Sequence, residues 1–578
     1  MLLTSRLLSG LLASGFVAFA SSHWTGPTAP PAPTATLSNG TYQGVHSIYY
    51  DQDWFLGMPF AQPPVGELRL APPAPLNTSF DGIRLATAYG PVCPSYGSDD
   101  IGLPLSEDCL SINVIRPAGY EHAALPVAVW IYGGEYAMGG GSNPKYNLSF
   151  IVQDSVAAGL PIIGVSFNYR VGAFGFLSSA EVTAAGVANL GLRDQRLALH
   201  WVQENIARFG GDAAKVTLWG ESAGADSIGH QMRAYGGRDD GLFRGAIAES
   251  GGPLMFQGNS AAENEAVYQS VLNGTGCANA TDGLACLRSV PYITFLNVTT
   301  GTGALFSTVV DGDFLRNLSS VALSAGNFTK VPLLIGSNTG EGTAFAPSGI
   351  NNDSALMAYL TGSSIRLDNE TARDMMLLYP DIPAYGTPPS FIGRPNSTYG
   401  TQFHRAAAIA GDFTIHRGRR FSAEIWSRYN VTVYTYRFNV WPLTGVSNLI
   451  GISHYKEIEF VFDNEKGDGF FPPYGTTSEL VGQPDTYKTI SRLISGMWIS
   501  FINDLHPNNH PLVTYAAGGP VPEWPVYAPD ATLALEGYGQ NFVFDTNLTG
   551  LATIEQDTWR GPGIAYCNSP SVQLQLGT

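Results

Sequence analysis

No part of this chain constrains it more than the five residues Gly220-Glu221-Ser222-Ala223-Gly224, which follow directly on the apolar run at 215–219 (KVTLW). G-x-S-x-G between a strand and a helix marks a tight turn that lifts a serine hydroxyl clear of a sheet edge. Its glycines let neighbouring backbone approach where a Cβ would clash. The pentapeptide alone is weak evidence: in a chain with 67 glycines, about half a match arises by chance. Its setting adds the weight, since a strand-like VTLW precedes it and a helix-compatible run follows. An ordinary turn is the competing reading, and that setting argues against it.

The surrounding pattern agrees. Short apolar runs at 125–132 (LPVAVWIY), 160–168 (LPIIGVSFN), 243–249 and 331–336 alternate with helical stretches. In 189–209 the apolar residues Leu192, Leu197, Leu199, Trp201, Val202 and Ile206 recur at helical spacing. Strands alternating with helices predict an α/β fold, a mainly parallel sheet with helices on both faces. Dividing 578 residues by ~150 would give nearly four domains. No internal repeat and no linker divides the chain, however, so residues 37–578 read as a single domain.

Composition excludes other classes. Hydrophobic residues make up 44% and charged residues 13%, the reverse of a disordered chain. With 47 acidic and 30 basic side chains, 47 − 30 leaves −17, and without a basic cluster no nucleic-acid partner is expected. Residues 1–20 read as a secretory leader: Arg6, an apolar stretch, then Ala18-Phe19-Ala20. A Pro/Thr-rich lead-in at 21–36 follows, and no later stretch is long enough to span a membrane. N-x-S/T sequons recur from Asn39 to Asn547, so N-linked glycans and an extracellular location are expected. In an oxidising compartment the cysteine spacing suggests Cys93–Cys109 and Cys277–Cys286 with Cys567 left over, although four cysteines allow three connectivities. Nothing has the ligand spacing of a metal site.

Several further segments quote one known family. GMPFAQPPVGELRLAPP (57–73), SEDCLSINV (106–114), FNYRVGAFGFLSS (167–179), ANLGLRDQRLALHWVQENIARFGGD (188–212), VTLWGESAGA (216–225), AIAESGGP (246–253), GSNTGEGTAF (336–345), HYKEIEFVF (454–462) and EWPVYAPD (523–530) stand in family order. Together they resemble the type-B carboxylesterase/lipase family, which includes cholinesterases and fungal lipases. The resemblance implies an α/β-hydrolase fold and a serine esterase needing no cofactor or metal. It implies Ser222 as nucleophile, His454 as base and Glu341 as acid, in the order Ser, acid, His. Ser250 matches a supporting serine.

The oxyanion hole implied by the resemblance comprises the amides of Gly134, Glu135 and Ala223, next to Gly133. Relatives carry glycine where this chain has Glu135. A carboxylate aimed at a developing oxyanion would oppose catalysis, so Glu135 is expected to point away, to pair with a cation or to stay protonated. Tyr455 replaces a usual glycine after the base and could narrow the pocket. The loop at 94–108 is shorter than a lipase lid, lacks tryptophan and holds Asp99, Asp100, Glu107 and Asp108. A lid without an apolar face should not answer an oil–water interface, and a choline ester would lose its cation–π platform. A secreted esterase for soluble or moderately apolar small esters is therefore expected ahead of a lipase for long-chain acylglycerols. A non-catalytic cholinesterase-like binding domain is the reading of another class, disfavoured because all three triad positions are filled.

Overall fold

The computed structural model describes residues 32–254, 264–363, 365–387, 391–441, 447–474, 477–528 and 538–578. The leader expected at 1–20 lies outside them. An 11-stranded sheet organises the molecule: β1 (Val45–Ser47), β2 (Gln52–Pro59), β3 (Ser111–Pro117), β4 (Leu125–Ile131), β5 (Ile163–Phe167), β6 (Gly211–Glu221), β7 (Gly245–Glu249), β8 (Leu333–Asn338), β9 (Val433–Phe438), β10 (Gln540–Phe544) and β11 (Ala552–Gln556). In space the order is β11-β10-β9-β8-β7-β6-β4-β5-β3-β2-β1. Strands β4 to β10 run parallel, and antiparallel strands flank them at both edges.

Strands β3, β4, β5, β7 and β8 are buried at every position. Strands covered on both faces read as continuous apolar runs rather than alternating ones. The helices that matter to the site are α1 (Leu190–Asn205), α2 (Ala223–Gly237), α3 (Phe403–Gly411), α4 (Arg417–Arg428) and α5 (Asp485–Asp504). Helix α5 packs beneath the site, where Trp498 and the β6 residue Trp219 both donate an indole N–H to the buried Glu249 carboxylate at 2.6 Å. The C-terminal helices Gly561–Cys567 and Pro570–Gln575 join a second apolar cluster with Met375 and Ile409, and this cluster buries Cys567.

One boundary moves. The lead-in expected to run to residue 36 ends earlier, because Thr34–Leu37 is a strand paired antiparallel with Gly40–Gln43. Ala35 and Leu37 alternate inward and are buried, and that burial orders the segment. The cysteines pair as Cys93–Cys109 and Cys277–Cys286, leaving Cys567 free and buried.

Candidate active site

The ends of three neighbouring parallel strands meet at one point. Ser222 stands between β6 and α2 with φ 55° and ψ −127°, a conformation that costs a non-glycine residue of order 1–3 kcal/mol. Its N–H donates to the Glu249 carbonyl at 2.9 Å, which ties the turn to β7. Both flanking glycines are required by contact, since a Cβ at Gly220 or Gly224 would lie 2.6 or 2.0 Å from the Ile131 carbonyl oxygen.

Glu341 opens a short turn just past β8, and His454 lies in a turn after β9. The structure brings the three together: His454 Nε2 is 2.9 Å from Ser222 Oγ, and His454 Nδ1 is 2.7 Å from Glu341 Oε2. Glu341 is fully buried. Its other oxygen accepts from Ser250 Oγ at 2.6 Å and from the Asn338 N–H at 2.7 Å. Ser250 Oγ is also 2.9 Å from Glu457 Oε1. One hydroxyl proton serves only one carboxylate, so both contacts are satisfied when Glu457 is protonated and donates. Burial, and then the adjacent Glu341, push Glu457 towards that form.

Sequence reasoning missed Glu457 and Glu221. Glu221 Oε1 lies 3.2 Å from His454 Nε2, and its side chain is almost fully buried. Burial opposes a charged imidazole, but Glu221 and Glu341 outweigh it and lift His454 to about 10. Burial also pushes Glu221 well above the carboxylate range. A protonated Glu221 removes the larger attraction, so a neutral His454 able to accept the Ser222 proton goes with a protonated Glu221. Both glutamates had a sequence signal, one inside the G-x-S-x-G turn and one a helical turn beyond the histidine.

The glycine loop after β4 abuts the serine, and a Cβ at Gly133 would fall 2.9 Å from Ser222 Cβ. Gly134, Glu135 and Tyr136 all hold positive φ, at 92°, 57° and 59°. Their turn is closed by the Ala137 and Met138 amides on the Gly134 carbonyl, at 2.9 and 3.1 Å. Among the described residues, no protein acceptor meets the N–H of Gly134, Glu135 or Ala223. The Glu135 side chain is exposed, with no cation pairing it among the described residues. Tyr455 leans on the loop side, its hydroxyl donating to Tyr146 Oη at 2.8 Å.

The loop at 94–108 departs from the sequence expectation. Three of its four acids turn inward, while Asp108 stays exposed: Asp99 pairs with Lys145 at 3.3 Å, Asp100 accepts from the Gly139 N–H at 2.7 Å, and Glu107 takes both arms of Arg69 at 2.6 and 2.7 Å. The outer face is instead carried by Ile101, 52% exposed, and Leu105, 37% exposed. Ile101 and Leu105 therefore give the loop an apolar patch, because Asp99 and Glu107 are drawn to cations elsewhere in the fold and Asp100 to a backbone N–H.

A parallel-centred open sheet with a G-x-S-x-G turn at its carboxyl edge defines an α/β-hydrolase. A profile described as the carboxylesterase family matches residues 31–544. Secreted lipase 1 of Botryotinia fuckeliana is 35% identical over 87% of this chain and 88% of its own length. Lipase 4 of Diutina rugosa is 34% identical over 93% and 96%. Among solved structures, Aspergillus niger EstA superposes with a TM-score of 0.78 at 31% identity, covering 94% of this chain and 99% of that one. The chain belongs to the carboxylesterase family and is a carboxylic ester hydrolase.

Proposed function

We propose that Ser222, His454 and Glu341 hydrolyse esters through an acyl-enzyme. The observation carrying this is the unbroken chain of contacts from Ser222 Oγ through both imidazole nitrogens to Glu341. Ser222 attacks the ester carbonyl as His454 Nε2 takes its proton, while Glu341 holds the imidazole in the tautomer that can accept it. The free amides of Gly134, Glu135 and Ala223 stabilise the negative oxygen of the tetrahedral intermediate. His454 then protonates the leaving alcohol, and water, activated by the same base, releases the acid. Glu135 contributes its backbone donor while its carboxylate stays with solvent. Ser250 holds Glu341 in place.

The substrate reading is soluble or moderately apolar esters. Its support is the anchoring of the 94–108 loop by Lys145, Gly139 and Arg69, which ties the loop down instead of leaving it to swing as a lid. Activity on long-chain acylglycerols is the second reading, favoured by the exposed Ile101 and Leu105 and by relatives named as lipases. A p-nitrophenyl ester series from acetate to palmitate, with emulsified trioleate alongside and Ser222→Ala as control, decides between them. Highest kcat/KM at short or medium chains, with a loss on the order of 10⁶-fold in Ser222→Ala, is expected; faster turnover of trioleate would establish the second reading.

Secretion belongs to the same proposal. Relatives are named as secreted, no helix among the described residues is long and apolar enough to cross a membrane, and none of the sequon asparagines is buried.

A further inference from the structure

From Val216 to Ala234, along β6 and α2, every residue is buried except Ser222 and Asp226. The Asp226 N–H donates to the Ser222 carbonyl at 2.9 Å, so the two stand one helical turn apart on one face. The turn after β7 packs on both: a Cβ at Gly251 would lie 2.6 Å from Ser222 O and 2.9 Å from Asp226 Oδ1, and Asp226 accepts from the Gly252 N–H at 3.0 Å. Ser222 and Asp226 are therefore the two part-exposed residues of this stretch, one turn apart on the same face.

Buried polar residues stand behind that carboxyl. Arg233 Nη2 meets His230 Nδ1 at 2.8 Å, and the Tyr136 ring, next to the oxyanion loop, is 6.5 Å from that of His230. Asp226 acts electrostatically on both Tyr136 and Arg233. Among the described residues, His230 Nε2 and Arg233 Nε have no hydrogen-bond partner, although their residues are only 1% and 4% exposed. The Tyr136 hydroxyl lies beside Ser227. Polar groups rather than apolar ones therefore back Asp226, and an aliphatic chain lying along this flank would cover its carboxyl without offering it a partner. A substrate carboxylate would face Asp226 first, while Arg233 stays behind it.

We propose that this flank is a polar subsite in which Asp226 hydrogen-bonds a hydroxyl of the substrate, placed a few bonds from the scissile carbonyl, so that hydroxylated esters are the preferred class. The proposal rests on Ser222 being the nucleophile. Burial lifts Asp226 to about 7, so around neutrality its carboxyl can either accept from such a hydroxyl or donate to it.

The test compares kcat/KM for two pairs of esters, p-nitrophenyl 3-hydroxybutanoate with butanoate, and 2-hydroxyethyl butanoate with ethyl butanoate. The pairs place the hydroxyl on the acid and on the alcohol. Wild type, Asp226→Asn and Asp226→Leu are measured, and a p-nitrophenyl acetate burst counts competent sites in each. The wild type should favour the hydroxylated member of one pair by about tenfold or more. Asp226→Asn should keep much of that preference and Asp226→Leu should lose it. No preference in the wild type, or an equal one in Asp226→Leu, overturns the proposal. If Asp226→Leu gives no burst, the wild-type ratio and its survival in Asp226→Asn decide the matter. Absence of a burst in the wild type would instead count against Ser222 itself.

Discussion

At the scale of single residues, the site combines strain with buried acid. Glu135, Tyr136, Ser222, Ser250 and Tyr455 are non-glycine residues with positive φ, and all stand at the candidate site. Such conformations persist only where the surroundings over-determine them; for Ser222 the Glu249 carbonyl takes its N–H, and the Ile131 carbonyl crowds Gly220 and Gly224 on either side. Glu221 lies beside the imidazole nitrogen that faces the serine, and its negative form favours imidazolium. In the proposed mechanism His454 accepts the Ser222 proton only when neutral, so an attraction that raises its pKa moves the acid limb of activity upward. Glu221→Gln removes that attraction, so the acid limb of kcat/KM should move to lower pH, read from a pH–rate profile on p-nitrophenyl butanoate. A limb that stays in place or moves upward would show that Glu221 does not act on the base.

At the scale of elements, the 94–108 loop shows what a sequence discloses and what it withholds. Strands β4, β6, β7 and β8 were legible because burial on both faces writes them as apolar runs. The G-x-S-x-G turn was legible because its glycines answer a local steric demand. Side-chain direction was not: Asp99 and Lys145 lie 46 residues apart, and Glu107 and Arg69 lie 38 apart, so only the fold shows that the acids point inward and leave Ile101 and Leu105 outside. Glu457 was hidden for a related reason, since its role depends on Ser250, 207 residues away. An anchored loop has a kinetic signature. Hydrolysis of tributyrin should rise smoothly as the ester passes its solubility limit, and an abrupt increase there would mean that the loop opens at an interface.

At the scale of the whole molecule, the scarcity of charge is greater than composition suggests. Only 13% of residues are charged, and several of these form interior pairs. Arg170 is buried with Asp194 at 2.7 Å, Arg116 with Asp53 at 2.9 Å, and Arg419 and Arg420 share the buried Asp557 at 2.6 and 3.0 Å. Such pairs leave fewer charges to keep the surface soluble. Glycans on the accessible sequons would supply that polarity. Enzymatically deglycosylated protein should accordingly aggregate at lower concentration in light scattering while its activity per soluble molecule stays the same; equal solubility would separate the glycans from the charge deficit.

Every functional inference depends on Ser222 being activated by His454 and Glu341. The most direct measurement is reaction with a p-nitrophenyl alkylphosphonate, followed by mass spectrometry of the peptides. One phosphonyl group should appear on Ser222, with loss of activity in step with labelling and labelling strongly slowed in His454→Ala. Labelling at another residue, or full loss of activity with Ser222 unmodified, would contradict the proposed chemistry.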